Sequence, residues 1–426
     1  MRICFLQTQG HMFSGGQGVY IYYLSRELAR MGHDVHVIAG PPYQETAPGV
    51  CLHRLKTHSY WGWLAGLLYG YREYATSHPL ELFHPLNFYE YTTTRYSAAS
   101  LLNMFSLRAL EKLNELEGER PFDVVHDNQT LGYGTWLIRT RGRPVLATIH
   151  HPIEFDWRNE LAEAMTLRRR VRLLVQYPWA MQHFVAPRLD RVITDSEASA
   201  SAIQRFYGLP RARISVVYVG VDTDRFRPLE IKREQGRVLY VGHAEAASKG
   251  VRYLIEALHI LRDRAPIRLT IVQPPGAKKA RRLANEFGVS DRVTFLEQVS
   301  TDELVLQYNR AQLFVSPSLV EGFGLPAAEA MACGTAVIAT TAGSFPEVIE
   351  DGVTGLLVSP ADASALADTI EKLLSDPERC RAMGAAGQQR VRERFTWRGT
   401  AEGTLAVYQE VLGRTHVAGV SRRPAG

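Results

Sequence analysis

Short apolar runs alternate with longer amphipathic segments along most of the chain. The first run covers residues 2–7, and it is followed by a glycine-rich turn at 14–18, a segment of helical spacing that ends at Gly32, and a second run at 34–40. The later runs of this first array lie at 123–127, 144–150, 191–196 and 214–220. Because short apolar runs separated by helical segments are typical of parallel strands joined by helices, the pattern predicts a parallel α/β sheet.

A second array follows a polar stretch at 220–230 that contains Pro228. Its apolar runs lie at 237–242, 267–272, 292–297, 313–318, 335–340 and 355–359. One helix is predicted to begin near Gly250 and another at Thr301, which has a side chain suited to an N-cap. Two similar arrays joined near residue 220 predict two α/β domains that face each other across a ligand cleft.

Residues 51–120 do not fit this alternation, because they are rich in aromatic side chains and have no clean period. We interpret them as helices and loops inserted in the first domain, with local core packing as the favoured role. The stretch at 61–71 (WGWLAGLLYGY) is too short to cross a bilayer. The alternative is a surface that binds a lipophilic acceptor or a membrane. The basic segment at 167–177 (LRRRVRLLVQY) is compatible with such a surface and with a solvated helix face.

The composition is that of an ordinary globular protein, with 46% hydrophobic and 22% charged residues in a chain of 426. This length predicts two domains. The formal net charge of +5 fits anionic substrates or a membrane surface as well as nucleic acid. The four cysteines are far apart and form no CxxC motif, which favours a reducing cytoplasm over a disulfide framework or a zinc site. The first ten residues are too polar for a signal peptide.

The most informative stretch is SPSLVEGFGLPAAEAMACGTAVIAT (316–340), which combines a strand end, an acidic residue, a glycine-rich turn and a helix. Gly322 and Gly324 let the backbone approach a ligand, and Pro326 suits a first helical turn. The N–H groups of a helix start attract phosphate. Glu321 precedes the helix and Glu329 lies within it, so the two carboxylates can accept hydroxyl hydrogen bonds from different parts of one ligand. A sugar phosphate or nucleotide sugar offers both groups.

This stretch resembles the E-x7-E signature of retaining glycosyltransferases of family 4, which have the GT-B fold of two Rossmann-like domains. Other stretches resemble the same family and occur in its order, at 14–38, 123–127, 220–228, 241–258, 346–362 and 395–412. The resemblance covers most of the chain outside 51–120. It implies an N-terminal acceptor-binding domain at 1–219, a C-terminal nucleotide-sugar-binding domain at 220–395, and a C-terminal helix and tail at 396–426 that cross back to the first domain.

The resemblance also implies roles for individual residues. Glu321 would contact hydroxyls of the transferred sugar, and Glu329 would bind the nucleotide ribose. Backbone N–H groups of Phe323–Leu325 would hold the diphosphate, which Gly16 would approach from the other domain. Lys249 would pair with the phosphates as the leaving group departs. No metal and no separate cofactor are expected, since the nucleotide sugar is a co-substrate.

Two positions depart from the family pattern. The family usually has Arg where this chain has His243, and a neutral imidazole cannot replace a bidentate guanidinium. Three alternatives are open: a protonated His243 beside the diphosphate, another Arg in its place, or weak activity. Val219 precedes Gly220 where Asn is common, and Asn tolerates turn conformations better than Val.

Three histidines are candidates for the same region. His150 and His151 are neighbours at a strand end, so their side chains point to opposite faces and they are poor candidates for one metal site. The family usually carries one His at this strand end, close to the donor sugar, and His150 matches it. His151 is interpreted as the start of an acceptor-side loop or a turn residue. His126 is either an acceptor-side residue of the cleft or a satisfied structural histidine.

We therefore expect a retaining hexosyltransferase that uses a nucleoside diphosphate sugar such as a UDP- or GDP-sugar. Its acceptor is a lipid, saccharide or small metabolite, and no nucleic acid partner is expected. The protein is predicted to be cytoplasmic, with contact to the inner face of a membrane as one alternative. A dehydrogenase is rejected because Ile21 stands where the third glycine of G-x-G-x-x-G would be. A non-catalytic nucleotide-sugar-binding protein is the main alternative.

Overall fold

The computed structural model describes residues 1–10, 16–55, 83–93, 98–118, 120–163, 166–176, 179–276 and 278–420. The chain forms two compact units. The first unit comprises Met1–Thr194, Ala200–Val217 and Ala401–Gly426, and the second comprises Asp195–Ser199 and Tyr218–Thr400. The aromatic stretch at 61–71 lies outside the described residues, as do the first two positions of the predicted glycine-rich turn at 14–18.

The first unit is built on a seven-stranded sheet in the order β3-β2-β1-β4-β5-β6-β7, with all neighbouring pairs parallel. The strands are β1 (Arg2–Gln7), β2 (Asp34–Ala39), β3 (Val50–Arg54), β4 (Val124–Asn128), β5 (Val145–Thr148), β6 (Arg191–Thr194) and β7 (Ile214–Val216). Every residue of β4, β5 and β6 is buried, because helices cover both faces of a parallel sheet.

The second unit is built on a six-stranded sheet in the order β10-β9-β8-β11-β12-β13, which is also parallel throughout. The strands are β8 (Arg237–Val241), β9 (Arg268–Gln273), β10 (Val293–Glu297), β11 (Leu313–Ser316), β12 (Ala336–Thr340) and β13 (Leu356–Val358). Each unit thus has the parallel α/β architecture that the alternating pattern predicts. The prediction of two Rossmann-like domains is confirmed.

Helices connect the strands in both units. Those before β7 are α1 (Gly16–Arg30), α2 (Pro85–Thr93), α3 (Ala98–Glu117), α4 (Tyr133–Thr140), α5 (Glu154–Glu163), α6 (Leu167–Gln176), α7 (Trp179–Val185) and α8 (Glu197–Tyr207). Those after β8 are α9 (Val251–Ile260), α10 (Lys279–Glu286), α11 (Thr301–Arg310), α12 (Leu325–Ala332), α13 (Phe345–Val348), α14 (Ala363–Leu374), α15 (Pro377–Arg394) and α16 (Trp397–Val420). None of the helices in the described part of the chain has the length and apolar character needed to cross a membrane.

Two local predictions are wrong. Residues 51–120 contain a strand as well as helices, since β3 pairs with β2 at the edge of the first sheet. The N-cap of α11 is Ser300 rather than Thr301, because the Ser300 side chain accepts a hydrogen bond from the Glu303 N–H and Thr301 is the first helical residue. Ser and Thr are both good caps, so the pair Ser300-Thr301 does not decide the boundary from sequence.

The strand order of each sheet changes direction at one place. In the first sheet this is between β1 and β4, and in the second it is between β8 and β11. Open parallel sheets bind ligands outside the carboxyl ends of the strands at such a switch point. The segments that leave β1, β4, β8 and β11 are therefore where the functional side chains are expected.

Candidate functional site

In the second unit, the segment that leaves β11 turns sharply before α12 begins. Gly324 has φ of +88°, and a Cβ added there would lie 2.6 Å from the Phe345 ring. Only glycine satisfies both demands without strain. Among the described residues, the N–H groups of Phe323, Gly324 and Leu325 donate to no protein acceptor. Unpaired N–H groups at a helix start form a site for an anion such as a phosphate.

Lys249, in the segment that follows β8, forms an ion pair with Glu321, in the segment that follows β11. The Lys249 ammonium lies 3.0 and 2.9 Å from the two carboxylate oxygens of Glu321, and the Ser318 hydroxyl donates to Oε2 of Glu321 at 3.1 Å. The Glu321 side chain is 13% exposed and that of Lys249 is 30% exposed. A bidentate pair with so little exposure is less weakened by water than a surface pair, so it fixes the position of both side chains.

The backbone beside Lys249 explains how residues so far apart in sequence come together. The Ser248 carbonyl accepts hydrogen bonds from the N–H groups of Leu319 and Val320, at 2.7 and 3.3 Å. Gly250 has φ of +62°, and a Cβ there would lie 2.0 Å from the Pro317 carbonyl oxygen. The turn at Lys249 therefore packs directly on the segment that carries Glu321, and a side chain at position 250 would separate them.

The segment after β12 holds Glu321 from a second direction. The Ser344 N–H donates to the Glu321 carbonyl oxygen at 3.3 Å. A Cβ at Gly343, which has φ of +58°, would lie 2.0 Å from the same oxygen. Glu321 is therefore fixed through its backbone by the Gly343-Ser344 turn and through its side chain by Lys249 and Ser318.

Glu329 has a different environment from Glu321. It lies within α12 with 9% of its surface exposed, and the Tyr308 hydroxyl donates to its Oε2 at 2.8 Å. Burial raises the pKa of Glu329 to about 7, while the Tyr308 hydrogen bond opposes this increase. The carboxylate is thus an oriented acceptor whose charge depends on pH near neutrality.

The remaining predicted donor-binding residues of the second unit surround this loop. Gly322 is partly buried, and Phe323 is 5% exposed, with its ring packed against Tyr218 and Phe395. The Phe323 ring thus anchors the loop in the protein interior, and Leu325 opens the helix. His243 is exposed in the segment that leaves β8. It is accessible to a ligand at the same end of the sheet as Lys249.

In the first unit, His150 lies just beyond the carboxyl end of β5. Its Nε2 is 2.9 Å from the Asn128 side-chain oxygen, and its ring meets the edge of the Tyr20 ring at a centroid distance of 4.9 Å. The Asn128 amide nitrogen also donates to the Gln17 carbonyl in the first turn of α1, at 3.2 Å. Gly16, the first residue of α1, has open space at its Cβ position among the described residues. The predicted residues His150 and Gly16 are therefore linked through Asn128 and Gln17.

The surroundings of His126 favour the interpretation as a satisfied structural histidine over that as an acceptor-side residue. It is 0% exposed, its Nδ1 is 2.6 Å from the Tyr408 hydroxyl, and its Nε2 is 2.7 Å from the Thr148 hydroxyl. Burial lowers the pKa of His126 to about 3, with a smaller contribution from His150. Both ring nitrogens of His126 have hydrogen-bond partners and its side chain is not exposed. We therefore interpret it as a neutral histidine that stabilises the interior of the first unit.

Sequence reasoning missed several polar residues that hold these groups in place, namely Tyr20, Asn128, Gln129, Thr148, Tyr308 and Ser318. Asn128 and Gln129 lie at the end of β4, directly after the stretch DVVHD. Their position at the carboxyl end of a strand beside the switch point is a signal that could have found them. The other four lie within helices or strands or in a short loop, and no pattern distinguishes them from ordinary core residues.

The described residues contain no group of three or more His, Cys, Asp or Glu side chains arranged to hold a metal ion. The groups described at this place in the second unit are the Lys249 ammonium, the partly buried Glu321 carboxylate, the buried Glu329 carboxylate and the backbone N–H groups of Phe323–Leu325. This set fits a ligand that combines phosphate with hydroxyl groups.

Two parallel Rossmann-like sheets with these groups at their switch points define the class of GT-B enzymes. Solved structures match this fold over almost the whole chain. Sucrose-phosphate synthase from Thermosynechococcus elongatus has a TM-score of 0.74 at 23% identity and covers 97% of this chain and 100% of its own. HepE from Anabaena in complex with UDP and glucose has a TM-score of 0.67 at 17% identity and covers 96% and 100%.

Sequence comparisons identify the family. The model described as Glycosyltransferase Family 4 matches residues 14–225, and the model described as Glycosyl transferases group 1 matches residues 221–390. An MMP alpha-(1->4)-mannosyltransferase from Mycolicibacterium hassiacum is 37% identical over 97% of this chain and 99% of its own. A D-inositol 3-phosphate glycosyltransferase from Nocardia farcinica is 30% identical over 95% and 87%. The chain belongs to glycosyltransferase family 4 and is a glycosyltransferase.

Proposed function

We propose that the protein transfers a hexose from a nucleoside diphosphate sugar to an acceptor hydroxyl with retention of the anomeric configuration. The observation that carries the proposal is the Lys249–Glu321 pair beside the unpaired N–H groups of Phe323–Leu325. A diphosphate needs the cation and the N–H groups, and a sugar needs the carboxylate. The three kinds of group occur together beyond the carboxyl ends of the neighbouring strands β8 and β11, which fits a sugar diphosphate better than either half alone.

Each group has a defined role in this proposal. The diphosphate binds the N–H groups at the start of α12, and Lys249 stabilises the negative charge that grows on the leaving group. Glu321 accepts hydrogen bonds from hydroxyls of the sugar, Glu329 accepts them from the ribose, and His150 orients the sugar. Gly16 is assigned a backbone contact with the phosphates.

The proposed chemical step is a front-face substitution. The bond between the anomeric carbon and the diphosphate oxygen breaks, and the acceptor oxygen bonds to that carbon on the same face. The acceptor proton passes to an oxygen of the departing phosphate, so no strong protein base is required. No metal is required either, since Lys249 and the helix start supply the positive potential. Transfer is therefore expected to persist in EDTA.

A mannosyl donor and a saccharide acceptor are the first choices within this class. The relative that is 37% identical over 97% of the chain is named as an α-(1→4)-mannosyltransferase, which supports the transfer of mannose to a sugar hydroxyl. Nucleotide mannose is commonly α-linked, so an α-linked product agrees with retention. The inositol phosphate glycosyltransferases, at 30% identity, make a phosphorylated small acceptor the second choice.

The proposal is tested first by a thermal-shift screen of UDP-, GDP- and ADP-sugars, because a ligand of the folded state raises apparent stability. Transfer is then compared among the wild type, Glu321→Gln and Lys249→Ala with the best donor and a set of saccharides. Removal of one electrostatic contact to a developing charge is expected to lower kcat by about 100-fold or more. Wild-type transfer by both variants would contradict the proposal.

His243 gives the alternative of a non-catalytic nucleotide-sugar-binding protein. It is exposed after β8, where the family usually has Arg. Calorimetric titration with the donor and a transfer assay separate the two functions. Tight donor binding without hydrolysis or transfer to any acceptor would favour the binding protein. Increased transfer by His243→Arg would instead indicate an enzyme that the imidazole slows.

We also propose a cytoplasmic location with contact to an anionic membrane surface. Leu167 and Val171, one turn apart on α6, are 78% and 52% exposed, and Arg168, Arg169 and Arg170 between them are exposed. Basic and apolar side chains together suit anionic headgroups. Co-sedimentation with phosphatidylglycerol vesicles should exceed that with phosphatidylcholine vesicles, and Leu167→Ser with Val171→Ser should reduce it. Equal recovery with both lipids would exclude this contact.

A further inference from the structure

Gln129 has an unusual backbone conformation next to the proposed sugar-orienting histidine. It follows β4 directly and has φ of +57°, in the left-handed region that residues with a side chain rarely adopt. Leu131, two residues further, has φ of +50°. Two such residues in one short loop need other contacts to hold them, and such conformations often occur at functional sites.

The carboxylate of Asp127 supplies those contacts. It accepts hydrogen bonds from the N–H groups of Thr130 and Leu131, at 3.0 and 2.8 Å, and from the Thr135 hydroxyl at 3.0 Å. Asp127 is fully buried, and burial raises its pKa against the effect of these hydrogen bonds. The Asp127 carboxylate thus fixes the backbone of the loop that contains Gln129, and this backbone holds the Gln129 side chain in position.

The Gln129 side chain joins this loop to the segment that carries His150. Its Oε1 accepts a hydrogen bond from the His150 N–H at 2.7 Å, and its Nε2 donates to the His151 carbonyl at 2.9 Å. If the amide were reversed, its NH₂ group would face the His150 N–H and its oxygen would face the His151 carbonyl oxygen. Only the orientation described here therefore makes both hydrogen bonds. The paired strands β4 and β5 end at Asn128 and Thr148, and the side-chain amide continues their hydrogen bonding one step further.

Neighbouring residues thus divide the work of holding His150. Asn128 contacts the imidazole through its side-chain oxygen, and Gln129 holds the backbone N–H of the same residue. The orientation of a ring depends on the backbone from which it extends as well as on the partner of its nitrogen. A small shift of a group that contacts a transition state can lower the rate strongly.

We propose that Gln129 is a positioning residue for sugar transfer, which acts by fixing the backbone of His150 and His151. The inference rests on the proposed role of His150 at the donor sugar. It assigns Gln129 no contact with substrate. Its effect on the reaction passes through His150, and this separates it from a general contribution to folding.

A double-mutant cycle tests the inference. Gln129→Ala is expected to lower kcat at least about 10-fold and to change the donor KM less than about 3-fold, since the phosphate-binding groups are untouched. In the His150→Ala background, Gln129→Ala should lower kcat by less than about 2-fold, because the group it positions is gone. Losses that multiply in the double variant would overturn the inference, as would a kcat unchanged in Gln129→Ala.

Gln129→Asn is the matched control for the backbone. Asn retains the amide and tolerates the left-handed region better than most residues, but it is one methylene shorter and cannot reach both peptide groups. We expect kcat to fall in Gln129→Asn about as much as in Gln129→Ala. The thermal unfolding midpoint of Gln129→Asn should be equal to or higher than that of Gln129→Ala. Wild-type kcat in Gln129→Asn would contradict the requirement for the two hydrogen bonds.

Hydrogen–deuterium exchange separates this inference from the proposed function. The amides of residues 149–151 should exchange faster in Gln129→Ala than in the wild type, whereas Glu321→Gln should leave them unchanged. Faster exchange with no transfer by the wild type from any donor would refute the proposed function and leave the Gln129 hydrogen bonds with a structural role only. Unchanged exchange in Gln129→Ala would show that Gln129 does not hold this backbone, whatever the activity of the wild type.

Discussion

Glu321 and Glu329 belong to one sequence signature, but they have different surroundings. Glu321 is held by Lys249 and Ser318 in a loop, whereas Glu329 is buried in a helix with the Tyr308 hydroxyl as its partner. Spacing along the chain places both carboxylates near the start of one helix. It does not reveal that Glu321 is paired with the Lys249 ammonium and Glu329 with the Tyr308 hydroxyl, since these partners lie elsewhere in the sequence.

The environment of Glu329 predicts a dependence of stability on pH. Its pKa is about 7 in the folded protein and 4.5 as the reference value. The folded state therefore binds a proton more tightly, so the free energy of unfolding contributed by this group is highest below about pH 4.5 and falls as the pH rises to about 7. A shift of this size corresponds to on the order of 3 kcal/mol.

Glu329→Gln should remove this dependence, because the glutamine oxygen can still accept the Tyr308 hydrogen bond and carries no charge. We expect the ligand-free variant to gain stability relative to the wild type as the pH rises from about 5 to 8, and to bind the nucleotide more weakly. Thermal unfolding across this pH range and calorimetric titration measure the two effects. Parallel stability curves for the two proteins would contradict the assignment of the pKa.

At the scale of elements, most strands could be predicted because a buried parallel strand is a continuous apolar run. The strand β3 was missed because it does not have this property. Its five residues run from buried to exposed at the sheet edge, and Cys51 and Arg54 are exposed. An edge strand with so little burial lacks the apolar run on which the prediction depends.

The boundary of α11 gives a direct test of the corrected N-cap. Ser300→Ala should destabilise the protein by about 1 kcal/mol, since it leaves the Glu303 N–H without its acceptor. Thr301→Ala is the matched control and should change stability by less than about 0.5 kcal/mol, because position 301 is already helical. Urea unfolding of both variants measures the difference. A larger loss in Thr301→Ala would restore the original assignment.

The contact between the Lys249 turn and the Glu321 loop could not be predicted from the sequence, because it depends on backbone packing at Gly250. Gly250→Ala would place a Cβ 2.0 Å from the Pro317 oxygen in addition to the cost of φ at +62°. Gly352→Ala is the matched control, since Gly352 has φ of +78° and open space at its Cβ position.

We expect Gly352→Ala to lower the free energy of unfolding by about 1–2 kcal/mol, because an alanine at this positive φ is strained. Gly250→Ala should lose more and should also transfer sugar more slowly, because the clash displaces Lys249 from Glu321. Urea midpoints and transfer rates for the two variants provide the comparison. Equal midpoints together with wild-type transfer by Gly250→Ala would show that this packing is not required.

At the scale of the whole molecule, two sheets of the same architecture carry different chemistry at equivalent places. The first unit presents His150 and the α1 start beside the β1/β4 switch point, and the second presents Lys249 and Glu321 beside the β8/β11 switch point. The fold and the family could be predicted because the motifs occur in order along most of the chain. The position of Asn128 and Gln129 at the end of β4 could be predicted, but their contacts with His150 could not, because the partners are determined by strand register.

The anomeric configuration of the product is the most direct test of the central claim. The wild type is supplied with the α-linked nucleotide mannose that gives the largest thermal shift, together with a saccharide acceptor, and the new linkage is assigned from the one-bond carbon–proton coupling of its anomeric carbon by NMR. Retention predicts an α-linked product whose formation is lost in Glu321→Gln. A β-linked product would contradict the account, whatever the rate at which it forms.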